Sequence, residues 1–410
     1  MKRYVIIGNS AAAIGAVEGI RSTDTDGSIT IITDEELTAY SRPLISYLLL
    51  GRTTEEKMAY RSPDFYERNG CTLVKGKAST IDAPAKTVRM EDGRAYPYDK
   101  LLCAAGSRPF VPPVKGLDTV KKQFTFFSLA DAHALENELC KQTRVLIVGA
   151  GLIGLKCAEG IYGRVSDITV IDLAPKVLSS ILDEDASAMV KTHLEGKGIK
   201  FLLSESVREF SGNTAFLESG GRLDFDVLVM AVGVRPNTEL VKAAGGAAGR
   251  GITINERCET SLNSVYAAGD CTESMDISSG GVRIMALLPN AYMQGECAGI
   301  NMAGGSMEFT KAIPMNSIGL LGLHIMTAGS YAGDAYMRTG NGSYKKLFYA
   351  DDLLKGFILI GETDKAGIYT SLIRERTPLS SIDFELICER PGLMAFTTQQ
   401  RKEKLGGESK

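Results

Sequence analysis

The chain has 410 residues, 44% of them hydrophobic and 23% charged, with a formal net charge of −3. That length calls for two or three domains, and the near-neutral charge argues against a nucleic-acid-binding or anionic-membrane-binding surface. Eight cysteines are scattered with no CxxC or CxxxxC spacing and only three histidines accompany them, so neither a metal nor an iron–sulfur cluster is expected.

The first segment, "RYVIIG" (3–8), is a short apolar strand ending in glycine. It enters a strand at once, so no signal peptide is expected, and no apolar run approaches the ~20 residues of a membrane span. The expectation is a cytoplasmic protein with reduced cysteines. A helical stretch (11–21) and a second strand, "SITIIT" (28–33), complete a β-α-β unit. Continuous apolar strands of this kind suit a parallel sheet covered on both faces. The turn, "GNSAAA", keeps Gly8 but puts Ser10 and Ala13 where a dinucleotide fingerprint has glycines. Glu35, with Asp34 as its neighbouring alternative, stands where an acid would meet a ribose. An Asp-Gly hairpin follows within 88–106.

The pattern repeats at "TRVLIVG" (143–149), "LIGLKCAEGIYG" (152–163) and "DITVID" (167–172). Here the fingerprint is complete. Gly149 makes the tight turn, Gly151 admits a pyrophosphate and Gly154 brings the helix close to the strand. The helix N-terminus offers unpaired N–H groups and a positive dipole end. Asp172 closes the next strand, where it accepts from a ribose 2′-OH and disfavours a 2′-phosphate, so NAD(H) is preferred over NADP(H). Further on come "SVYAAGD" (264–270) and a helix over roughly 289–303. From about 312 an α+β segment contains a hairpin turning at Asp351–Asp352. Met315, His324 and Met326 read as its core, with the lining of an acceptor site as the alternative, and the tail from 397 reads as polar and frayed.

Two fingerprints followed by "TSLNSVYAAGD" (260–270) resemble the FAD- and NAD(P)-dependent pyridine nucleotide–disulfide oxidoreductase superfamily. "LLCAAGSRP" (101–109) and "AVGVRPNTEL" (231–240) match further segments in the same order. The resemblance implies an α/β, glutathione-reductase-like fold. It has two Rossmann-like domains, FAD-binding over 1–110 and 236–310 and NAD-binding over 111–235. A small C-terminal domain over 311–396 is similar to that of the NADH:rubredoxin oxidoreductase and nitrite reductase flavin-domain branch.

By the same resemblance, tightly bound FAD would meet Gly8, Ser10, Ala11, Ala13, Glu35, Arg42, Pro43, Ala105, Gly106, Gly269, Asp270 and Asn290. NAD(H), as substrate, would meet Gly149, Gly151, Gly154, Asp172 and Gly233. Lys156 stands where the family has glutamate near the nicotinamide; a cofactor oxygen and Glu159 are its candidate partners. Thiol-dependent members carry cysteine after the ribose acid, whereas Ile45 and Ser46 occupy those places here. Electrons would therefore leave the flavin directly, with no other catalytic residue identified. The receiver would be a small electron carrier (rubredoxin or ferredoxin) or an iron–sulfur subunit. An NADH oxidase making hydrogen peroxide and a non-catalytic flavoprotein sensor are the alternatives. The sequence leaves oligomeric state open.

Overall fold

The computed structural model describes residues 1–35 and 38–405. Its elements, in chain order, begin with β1 (Arg3–Ile7), α1 (Ala11–Arg21), β2 (Ser28–Thr33), α2 (Ile45–Leu49), β3 (Cys71–Lys75) and β4 (Lys100–Cys103). There follow β5 (Gln123–Phe124), α3 (Leu129–Glu136), β6 (Arg144–Val148), α4 (Leu152–Ile161), β7 (Asp167–Asp172), α5 (Glu184–Glu195), β8 (Lys200–Leu203) and β9 (Val227–Met230). The chain then returns through β10 (Val265–Ala267) and α6 (Leu288–Ala303).

Two parallel five-stranded sheets result. The first has the order β10-β4-β1-β2-β3 and the second β8-β7-β6-β9-β5. Each keeps its glycine turn on the central strand, at the point where the strand order reverses. Ligands of such sheets bind there, beyond the carboxyl ends of the strands. The strands read as continuous apolar runs because both faces are covered: Ile6 and Ile31 pack on one side, Val5 and Ile32 on the other.

Helices α1 and α6 touch backbone to backbone. A Cβ on Gly15 or Gly19 would lie 2.2 or 2.3 Å from a carbonyl oxygen of α6. One on Gly295 or Gly299 would lie 2.0 or 2.2 Å from a carbonyl oxygen of α1. The contacts advance together along both helices (Ala12 to Gly295, Ala16 to Gly299), so the helices run parallel and their N-termini share one end. Arg61 and the Tyr292 hydroxyl both donate to Glu18 and tie the pair at its flank.

These elements form one compact unit, Met1–Ser274 with Ile284–Phe309; a second comprises Met275–Arg283 and the chain from Thr310 onward. The second unit holds an antiparallel sheet of β11 (Met315–Leu320), β12 (Leu323–Gly329), β13 (Asp334–Gly340), β14 (Ser343–Ala350) and β15 (Leu353–Ile360), in the order β11-β12-β15-β14-β13. The turn between β14 and β15 falls at Asp351 and Asp352, with φ of 53° and 60°. That left-handed pair gives a two-residue turn that follows the twist of its strands. Helices α7 (Ala366–Arg374) and α8 (Phe384–Glu389) carry the core. Met315 and Met326 pack on its edge, as the sequence suggests, but His324 is exposed.

The tail departs from expectation. Residues Thr398–Lys404 are helical, α9, rather than frayed. Thr397 and Gln400 exchange hydrogen bonds in a capping box, and Lys404 pairs with Glu375 at 2.7 Å. No helix among the described residues is long and apolar enough to cross a membrane.

Candidate functional site

The first cradle forms where β1 meets α1. Gly8 has φ +104°, and a Cβ there would stand 2.1 Å from the Ala104 carbonyl oxygen, so only glycine fits. Ser10 is the extended N-cap of α1, but its side chain makes no cap and no acid lies in the first turn. Ala11 and Ala13 are buried behind it. Helix α6 likewise starts with no side-chain cap and no acid, at Leu287 with Pro289 in its first turn and Asn290 buried. Gly269 (φ +82°) lies between the two starts, its Cβ position 3.3 Å from Ala12 and 3.5 Å from Ala291. Two parallel helix dipoles therefore present adjacent positive ends. That arrangement repels itself unless an anion lies across it. In contrast, α5 is closed by Asp183, whose carboxylate accepts from Ala186 N at 3.1 Å.

Asp270 follows Gly269. Burial pushes its carboxyl up from the usual aspartate range, opposed by the charge of Arg42. Asn237 holds the neighbouring strand end by donating to the carbonyls of Ala105 (2.8 Å) and Gly106 (2.9 Å). Glu35 and Arg42, assigned by resemblance to different parts of the cofactor, are ion-paired to each other. Tyr40 also donates to Glu35 at 3.2 Å, and Arg42 donates to the Phe127 carbonyl at 3.3 Å. Pro43 sits in a 3-10 turn (Arg42–Leu44) that leads into α2.

The second cradle repeats the turn. Gly149 has φ +117°; Cβ atoms at Gly149 and Gly154 would lie 2.3 Å from the Ala231 oxygen and 1.9 Å from the Gly149 oxygen. Gly151 is the N-cap of α4, again with no side-chain cap and no acid in the first turn. Asp172 does more than the sequence suggests. It accepts from Ala150 N at 2.6 Å and from Ala174 N at 2.8 Å, so it braces the glycine turn itself. A carboxylate has about four acceptor sites, which leaves capacity for a ribose hydroxyl. Gly233 (φ +115°) is open, with nothing within 4 Å of its Cβ position. Leu173 and Val232, 75% and 37% exposed, stand at the ends of the strands flanking β6. They are apolar surfaces on either side of the turn that sequence reasoning missed.

Lys156 faces the first half of the unit. It pairs with Glu159, and its ammonium lies 4.2 Å from the centroid of Tyr47 in α2. Ser46, also in α2, is fully buried and its hydroxyl has no hydrogen-bond partner. No cysteine lies in α2. Cys140 is exposed, and Cys71 is half-buried with its thiol pushed up to about 11 by burial. The other six cysteines are buried. No group of three or more metal-ligating side chains is found among the described residues.

Two glycine turns at uncapped helix starts in one unit have the form of a dinucleotide-binding class of protein. The family model for pyridine nucleotide–disulphide oxidoreductases matches residues 2–295, and the chain belongs to that family. It is 30% identical over 394 residues to the NADH-dependent phenylglyoxylate dehydrogenase subunit epsilon of Aromatoleum evansii, covering 93% of each chain. It is 35% identical over 322 residues to an NADH oxidase of Methanocaldococcus jannaschii, covering 75% of this chain and 71% of the relative. Its fold matches that of the reductase in the covalent putidaredoxin reductase–putidaredoxin complex. There the TM-score is 0.88 at 22% identity, over 100% of this chain and 99% of the other. The family uses FAD with NADH as substrate, and this chain is an oxidoreductase of that kind.

Proposed function

We propose that this chain oxidises NADH through bound FAD and passes the electrons to a separate redox protein, a rubredoxin- or ferredoxin-like carrier or an iron–sulfur subunit. FAD fits the first cradle. The paired helix starts of α1 and α6 would receive its pyrophosphate at the turn of Gly8, Ser10, Ala11 and Ala13. Glu35, oriented by Arg42, would take the ribose. Ala105, Gly106, Asp270 and Asn290 would line the rest, and the unpartnered Ser46 hydroxyl is a donor in want of a polar edge. NADH would take the second cradle at Gly149, Gly151, Gly154, Asp172 and Gly233. When bound, the flavin accepts hydride and releases electrons singly.

The observation that carries the reading is the closed thiol position. Ile45 and Ser46 stand where thiol-dependent members hold a cysteine, and Ser46 packs against Gly160 of α4, which supports direct transfer from the site to an acceptor. The kinship with a dehydrogenase subunit supports electron delivery within a complex. The kinship with an NADH oxidase favours a second reading, in which oxygen is the acceptor and hydrogen peroxide the product.

Anaerobic mixing with NADH, followed by air or by a carrier, separates the two. Fast flavin bleaching with rapid carrier reduction and slow oxygen turnover is expected. Oxygen turnover as fast as bleaching would establish the oxidase instead, and absent bleaching would overturn both.

A further inference from the structure

We propose that Lys156 is a positioning residue: it locks the second cradle against α2 and so sets the geometry of hydride transfer. The inference rests on the functional reading above. Three positions four residues apart along α4 and its exit meet α2 in succession. Lys156 covers the Tyr47 ring at 4.2 Å. Gly160 abuts Ser46, where a Cβ would stand 3.2 Å from the Ser46 Cα and from its carbonyl oxygen. Arg164 donates to the Leu49 carbonyl at 2.8 Å and pairs with Glu136 at 2.7 Å.

The Lys156 end of this seam is the chemically specific one. The Glu159 side chain is 1% exposed and that of Lys156 18%, so their ion pair is largely withdrawn from water. A buried pair of this kind adds little net stability over an apolar contact. What it adds is placement. The ammonium must lie over the face of one ring while its carboxylate lies behind it, and few offsets of α4 on α2 satisfy both. Helix α4 starts at the second glycine turn, and α2 starts directly after Arg42 and Pro43. A slip along the seam therefore moves one cradle relative to the other. A misplacement of about 1 Å costs on the order of 100-fold in rate.

The test uses the full FAD-loaded chain in anaerobic stopped flow, with Lys156→Met, Lys156→Arg, Tyr47→Leu and the Lys156→Met/Tyr47→Leu double variant. Lys156→Met should slow NADH-driven bleaching by about 10- to 100-fold. Its NADH Kd should stay within about threefold, because ground-state binding is not what is lost. Lys156→Arg should recover most of the rate, and the double variant should be no slower than the worse single. In Lys156→Met, amide hydrogen exchange should quicken across 45–49 and 152–161 while exchange in α1 and α6 holds. An unchanged rate, an equal loss of NADH affinity, or fully multiplicative single effects would overturn the proposal. If wild type is not bleached by NADH, the functional reading fails instead, and the exchange data alone decide whether the seam is a lock. If Lys156→Met does not retain FAD, Lys156→Arg and Tyr47→Leu carry the test.

Discussion

Each half of the larger unit opens its central strand with an arginine bound to the aspartate that precedes a neighbouring strand. Arg3 N donates to Asp99 and Arg144 N to Asp226, both at 2.8 Å, and each guanidinium pairs with the same carboxylate. At the other end, Gly8 N donates to Ile32 and Gly149 N to Ile171, again both at 2.8 Å. The halves part company at the ligand end. The first sets two uncapped helix starts side by side and turns its acid outward to Arg42. The second has one helix start and turns its acid inward to brace the glycine turn. Two converging positive ends hold an anion more firmly than one. On the proposed reading, the same scaffold would give a retaining site and an exchanging one.

The hardest way to break this comparison is to separate the paired helices. Gly295→Val places branched carbons 2.0 Å from the Ala12 oxygen. We expect a loss above about 3 kcal/mol, with FAD no longer retained after desalting. Retention of FAD at wild-type Tm would refute the paired-start account. Next is Asp172→Ala, which strips the brace from the second turn and leaves the Ala150 N–H unsatisfied. NADH binding should weaken by about 1–3 kcal/mol, with FAD content unchanged. Calorimetric titration reads the first and absorbance the second; a loss of FAD would mean that the halves are not independent.

A smaller effect is expected in acid. Arg3 holds the Asp99 carboxyl down at about 2, and Arg144 holds Asp226 below the ordinary range. A depressed folded value gives stability that is present above the unfolded value of about 3.9 and fades as pH falls through the folded one. Tm should therefore drop on acidification below about pH 4, and Arg3→Met and Arg144→Met should each flatten part of that drop. Both pairs are well exposed, so the contributions are small. The smallest effect concerns Cys140, the exposed thiol, lowered by its hydrogen bond to Thr143. Iodoacetamide at about pH 8 should modify it well before Cys71. NADH-driven bleaching should not change; a loss tracking modification would mean that a thiol takes part.

Much of this was legible in the residues. Apolar runs ending in glycine marked both central strands within a residue of their bounds, and "DD" at 351–352 marked its hairpin. What escaped were pairings between distant segments, which no local pattern records. Gly15 and Gly19 read as helix residues until Gly295 and Gly299 are seen against them. Arg42 and Glu35 read as separate cofactor contacts until they are seen as a pair. Asp172 read as a ribose ligand, and its bond to Ala150 is visible only once the turn is folded. The missed helix at 398–404 did carry a local signal, the T-x-x-Q box, but its anchor at Glu375 is remote.

The pairing of α1 with α6 also bears on the order in which the two sheets can be completed. The strands of the second sheet all lie between residues 123 and 230 and can close as a contiguous piece. The first sheet lacks β10, and α1 lacks its partner, until residue 303 has been made. During synthesis the later-numbered sheet therefore has all its strands before the earlier one does, and on the proposed reading the flavin would enter last.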